Sequence, residues 1–182
     1  MKDKLKDCFK SGEKGERHKG LRKVKLDESL VEGHLKKAIH NFNAMDEFNK
    51  RGYSDWSASA SFYCLYHCLL AILAKNGTES RNQTCTFAFI QNMIDNKQLS
   101  LTNEELNEIF DKEITDNLIY SNKILDIREN MQYSIKTLLE QREFNTLKQR
   151  TKILLDKLRM EIEKWKQIIL VNFRKKRLSK KK

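Results

Sequence analysis

The sequence predicts an all-α protein, an antiparallel bundle of about five helices with basic disordered tails at both ends. Three observations carry that expectation. Proline is absent from all 182 residues, where average usage gives about nine. It is the residue that helix interiors exclude, because it lacks the N–H and clashes with the preceding turn. Apolar residues recur at spacings of three and four along most of the chain, and nothing alternates as several paired strands would. Finally, Trp56 to Ala74 holds no formal charge in a chain that is 34% charged, so this stretch must be covered on all sides. Its length would also allow a membrane span, but three serines, a histidine and two tyrosines dilute its hydrophobicity. Amphipathic neighbours offer soluble cover, and no membrane contact is expected.

Residues 1–25 are rich in Lys, Glu, Gly and Asp and poor in apolar residues, so they read as a basic flexible segment. A bundle over residues 26–173 follows. Val31, Leu35, Ala38, Phe42 and Met45 form one stripe of a helix that Arg51-Gly52 ends. The central helix runs from about Ser54 to Asn76, with Ser54 or Asp55 as its side-chain cap and Gly77 taking the left-handed turn beyond it. A polar link over 78–83 leads to a shorter apolar segment containing Phe87, Ile90, Met93 and Ile94. Thr102-Asn-Glu-Glu105 is a capping box. It opens a helix through Leu106, Ile109, Phe110, Leu118 and Leu125 to about Tyr133, interrupted near Asp116. The last helix starts around Asn145 or Thr146, buries Leu154, Leu158, Ile162, Trp165 and Ile169, and enters a basic tail over 174–182.

The net charge of +11 is concentrated at the ends. Residues 1–25 hold ten Lys or Arg against four Asp or Glu, and residues 174–182 hold seven basic side chains and no acidic one. The body between them holds nineteen basic and twenty-one acidic residues, so it gives no reason to expect a basic face of its own. Arg174, Lys175, Lys176, Arg177, Lys180, Lys181 and Lys182 are the candidate polyanion-binding residues, acting sequence-blind and weakened by salt. The amino terminus reads Met-Lys-Asp-Lys-Leu-Lys-Asp with no apolar run behind it, which suggests a cytoplasmic protein. Cys8, Cys64, Cys68 and Cys85 are then expected as reduced thiols.

No Gly-rich phosphate loop, Ser-His-Asp arrangement or HExxH is present. Cys64-x-x-x-Cys68 shares a helix face, but His67 points elsewhere and no second ligand pair stands at a zinc spacing. No metal or cofactor is expected. Tyr63 and Tyr66 read as core aromatics whose hydroxyls find partners.

The order Leu35-Lys36-Lys37-Ala38, Gly52-Tyr53-Ser54-Asp55, Phe62-Tyr63-Cys64-Leu65-Tyr66-His67, Leu69-Leu70 and Gly77 resembles the first two helices of HEPN (higher eukaryotes and prokaryotes nucleotide-binding) domains. The likeness continues through Ile127-Arg128-Glu129-Asn130-Met131-Gln132-Tyr133 and covers about residues 28 to 170. Catalytic members of that family look like metal-independent ribonucleases marked by Arg, four to six residues, then His. In such a pair the histidine moves a proton and the arginine holds the phosphate. Here Arg128 is followed by Tyr133, and no histidine lies at the required distance from any arginine. A phenol with a pKa near ten is a poor base at neutral pH. The resemblance therefore implies a non-catalytic module that binds a nucleotide or RNA through Arg128, Asn130 and Tyr133. It also implies a homodimer and a nucleotidyltransferase-type partner in a toxin–antitoxin or defence setting. A ribonuclease toxin acting through Arg128 with Tyr133 is the alternative. A structural bundle tethered to polyanions by its tails is the third reading, in which Arg128 pairs with a surface acid and Tyr133 packs on the last helix.

Overall fold

The computed structural model describes residues 2–14, 20–109, 128, 131, 135 and 137–179, with side chains between 4 and 164. Among the described residues there are six helices and one small sheet: α1 Lys2–Glu13, β1 Leu21–Lys23, α2 Glu28–Lys50, α3 Ser54–Lys75, β2 Thr78–Ser80, α4 Gln83–Asp95, α5 Asn103–Ile109 and α6 Gln141–Ser179. The all-α expectation holds. The sheet is a single antiparallel pair, with Leu21 opposite Ser80 and Lys23 opposite Thr78.

α3 is the axis of the bundle. Phe62, Leu65, Leu69 and Leu73 are fully buried, with α2 along one side and α6 along another. Among the described helices, α3 alone is long and apolar enough to cross a membrane, yet 72% of that apolar window is buried inside the bundle. Its serines explain how a polar-spotted helix sits at a core. Ser57 Oγ donates to the Met45 carbonyl of α2 at 2.8 Å, and Ser61 Oγ meets Thr151 Oγ1 of α6 at 2.6 Å. Small side chains bring the backbones close while both hydroxyls keep a partner, so burying these two serines orphans neither.

The expected side-chain cap on α3 is absent. Tyr53 holds the cap position without a side-chain bond, and Ser54 Oγ instead accepts the Leu139 N–H at 2.7 Å. That bond ties the chain entering α6 to the start of α3. At the other end of α3, the buried Lys75 Nζ donates to the Ile162 carbonyl. α6 therefore runs alongside α3 in the same direction, whereas α2 and α3, joined by a three-residue link, are antiparallel.

The remaining boundaries follow local signals. Gly77 takes φ +60° beyond α3, as expected. The capping box is formed: Glu105 N–H donates to Thr102 Oγ1 at 3.2 Å and Thr102 N–H to the Glu105 carboxylate at 2.8 Å. α6 begins at Gln141, earlier than the apolar period indicates, because the Glu143 carboxylate reaches back to the Glu140 N–H at 3.0 Å. Its polar flank is keyed to neighbours by Lys148 to Asp46 and by a bidentate Arg150–Glu108 pair at 2.5 and 2.6 Å. The helix expected beyond Ile109, with Phe110, Leu118 and Leu125, lies outside the described residues.

Two expectations are corrected at the amino terminus. Residues 1–25 hold α1 and β1 instead of forming only a flexible segment, and Cys8 and Leu21 are 5% and 0% exposed. Gly12 makes this possible, because a Cβ there would lie 1.9 Å from the Leu21 carbonyl oxygen. Cys8 and Cys85 are not reduced thiols but a disulfide joining α1 to α4, their Cα atoms 5.7 Å apart. Phe9 stacks edge-on against Phe89 beside it. Cys64 and Cys68 are the free thiols. At the carboxyl end the backbone stays helical through Ser179, so Arg174, Lys175, Lys176 and Arg177 lie on α6. Lys180, Lys181 and Lys182 lie outside the described residues.

Candidate functional site

α3 is buried on every side except one stripe. Asp55, Trp56, Ser59, Tyr63, His67 and Leu70 are its only residues before Lys75 that are not buried. Their spacing of one, three, four, four and three places them on a single face. Trp56 is 59% exposed and Tyr63 42%. Large aromatics left open on the most buried helix of a bundle point to a ligand or partner. The expectation that Tyr63 packs in the core is therefore corrected. Tyr66 does behave that way: it is buried, and its hydroxyl meets Thr86 Oγ1 at 3.2 Å.

Over the first half of this stripe lies a cleft of about 220 Å³ lined by Asp55, Trp56, Ser59, Tyr63, Arg128 and Met131. Arg128 and Met131 are helical residues three apart, hence neighbours on one face. The Arg128 guanidinium carbon stands 4.4 Å from the centroid of the Phe62 ring, a cation–π contact that orients the group. Phe62 is itself clamped between Tyr66, stacked at 5.7 Å, and Tyr63, edge-on at 5.3 Å. Buried Arg128 Nε has no hydrogen-bond partner. Among the described residues neither Arg128 nor Asp55 has an ion-pair partner, so the surface-acid pairing considered for Arg128 is not what this structure shows. Asp55 stands in the first turn of α3.

Of the sequence-predicted site residues, only Arg128 is placed in the cleft. Asn130 and Tyr133 lie outside the described residues, and the basic residues from Arg174 onward have no described side chains. Sequence reasoning missed Trp56, Ser59 and Asp55. Their common face with Tyr63 was readable, but nothing in the sequence alone says which face of an uncharged helix stays open.

Further along the stripe His67 meets His34 of α2, Nδ1 to Nδ1 at 3.1 Å. The ring centres are 5.3 Å apart, only about the two ring radii more than the nitrogens. The imidazoles therefore face each other head-on, as donor and acceptor, rather than converging on a shared ion. Burial, then the neighbouring His34 and Lys37, lowers His67 to about 4. Burial also lowers His34, opposed by Glu79. Burial pushes the Cys64 thiol up to about 12 and Cys68 higher than its ordinary value. Both thiols are therefore protonated, poor nucleophiles and poor ligands. Among the described residues no histidine lines the cleft.

Comparison with known proteins agrees with this architecture. A family model described as the HEPN domain matches residues 31–161, which contain the whole of the cleft. A search of the curated proteins returns no match.

Proposed function

The chain belongs to the HEPN domain family, and on that premise we propose that it is a non-catalytic binding module whose cleft holds a nucleotide or an RNA nucleotide unit. A nucleotide- or RNA-related role is what the family supports. The observation carrying the finer reading is Arg128: a guanidinium positioned by Phe62, without an ion-pair partner among the described residues, lining a cleft together with the exposed Trp56 and Tyr63. Arginine forks onto phosphate, and aromatic faces stack bases whatever their identity, at about 1–3 kcal/mol per base. Among the described residues that line the cleft there is no histidine, the proton carrier of the family's ribonuclease pair. His67, one turn beyond Tyr63, has its Nδ1 engaged by His34.

Titration with a short single-stranded RNA of mixed sequence tests this. Arg128→Ala should weaken binding tenfold or more with an unchanged helical spectrum, and the RNA should be recovered intact. Unchanged affinity in the variant overturns the reading. Cleavage by the parent protein that disappears in the variant replaces it with the ribonuclease alternative. The family resemblance is also what supports homodimer formation and a nucleotidyltransferase-type partner in a toxin–antitoxin or defence setting. Light scattering and co-purification test those two associations.

A further inference from the structure

Among the described residues the cleft contains an unpaired anion, Asp55, as well as an unpaired cation, Arg128, and together they narrow the ligand. A bare phosphate or a run of RNA backbone would satisfy Arg128 but be repelled by Asp55. The two charges call for a molecule with an anionic group at one place and N–H donors at another. Trp56 and Tyr63 line the same cleft and add flat, stackable rings to it. The volume, about 220 Å³, falls below the roughly 300–1,000 Å³ of drug-sized pockets. It suits one base, not a stacked dinucleotide.

Building on the binding role proposed above, we infer that the cleft selects guanine, taking a guanosine monophosphate unit with phosphate at Arg128 and the base edge at Asp55. An ionised carboxylate only accepts hydrogen bonds, through two oxygens side by side. Guanine offers two adjacent donors on its pairing edge, N1–H and the N2 amino group, so two parallel charge-assisted bonds form. Adenine and cytosine each place one amino group beside a ring nitrogen whose lone pair would face the second carboxylate oxygen. Uracil has a single N–H flanked by carbonyl oxygens. Guanine alone turns no lone pair toward Asp55. The unit can come from a free nucleotide or from single-stranded RNA, since both present the same edge and phosphate.

The test is calorimetric titration of the full chain with GMP, AMP, CMP and UMP at one salt concentration. GMP should bind at least tenfold tighter than the others. Asp55→Asn puts a donor where an acceptor is needed, and Asp55→Ser removes the carboxylate. Each should erase the preference, while Arg128→Ala weakens all four nucleotides by a similar factor. Equal binding of the four, or a preference that survives both Asp55 variants, overturns guanine selection and leaves the cleft as a nucleotide site. No binding of any nucleotide, with Arg128→Ala indistinguishable from the parent, overturns the cleft reading itself. An oligouridine with one central guanosine, compared with GMP, separates the sources. Tighter binding of the oligonucleotide supports guanine selection within RNA, and tighter binding of GMP supports selection of the free nucleotide.

Discussion

At the scale of single residues, the His34–His67 contact makes stability depend on pH. A head-on Nδ1 pair at 3.1 Å needs one nitrogen without a proton, so protonating both rings breaks it. Two charged groups act on the pair, Lys37 on α2 opposing protonation of His67 and Glu79 on β2 favouring that of His34, while His34 also opposes protonation of His67. His67 falls from 6.5 to about 4 in the fold. Above about pH 6.5 both folded and unfolded chains are neutral there, and the contribution is complete. As pH falls below 6.5 the unfolded chain takes up a proton that the folded chain refuses, so stability declines until about pH 4 and then levels off. Because the ring is partly exposed, the loss should be on the order of 1 kcal/mol. Urea denaturation of the parent and His67→Gln at pH 7.5 and 5 checks it, and the variant should show the smaller decline. Parallel profiles would rule the pair out. Neither histidine advertised this in the sequence, since thirty-three residues separate them and only the packing of α2 on α3 makes them neighbours. Trp56 and Tyr63 were more legible, because their spacing already set them on one face.

At the scale of elements, the clasped amino-terminal arm is where composition misled. Leu5, Cys8, Phe9 and Gly12 follow the helical spacing of three, one and three, but lysines between them outweigh that signal in any average. The stripe matters because α4 supplies its complement in Cys85 and Phe89, a contact far away in sequence. The Cys8–Cys85 bond closes a loop with a sequence separation of 77, and loop-closure entropy gives such a crosslink roughly 4 kcal/mol. Cys85→Ser, or a thiol reductant, should lower the urea midpoint accordingly. β1 remains paired with β2, and Arg22 Nε with the Gly12 carbonyl at 3.0 Å, so circular dichroism before the transition should change little. An unaltered midpoint would mean that the bond adds nothing to the arm. The bundle helices were easier to read, since α2, α3 and α5 each carry their own period, stop or cap within the segment. The start of α6 escaped because Glu140 holds the position that a serine or threonine usually marks.

At the scale of the whole molecule, the cleft and the basic carboxyl end belong to opposite ends of one rod. Leu139 is bonded to Ser54, so α6 begins beside Asp55 and Trp56, and it then runs with α3 past Lys75 to Ser179. At 1.5 Å per residue, Gln141 to Arg174 spans about 50 Å. That exceeds the Debye length at physiological salt, about 8 Å, several times over, so charges at one end do not act on a ligand at the other. Two modes of binding should therefore separate. Removing residues 174–182 deletes seven positive charges and should flatten the dependence of RNA affinity on salt, by up to about five in the log–log slope at roughly 0.7 per neutralised phosphate of a single strand. The affinity for GMP should change less than twofold, since the cleft keeps Arg128, Asp55 and both aromatics. Arg128→Ala should do the converse, weakening GMP strongly while reducing the RNA salt slope by about one contact. If truncation weakens GMP as much as it weakens RNA, the rod does not hold the two sites apart. The nearly neutral body would then owe its ligand to the tail rather than to the open face of α3.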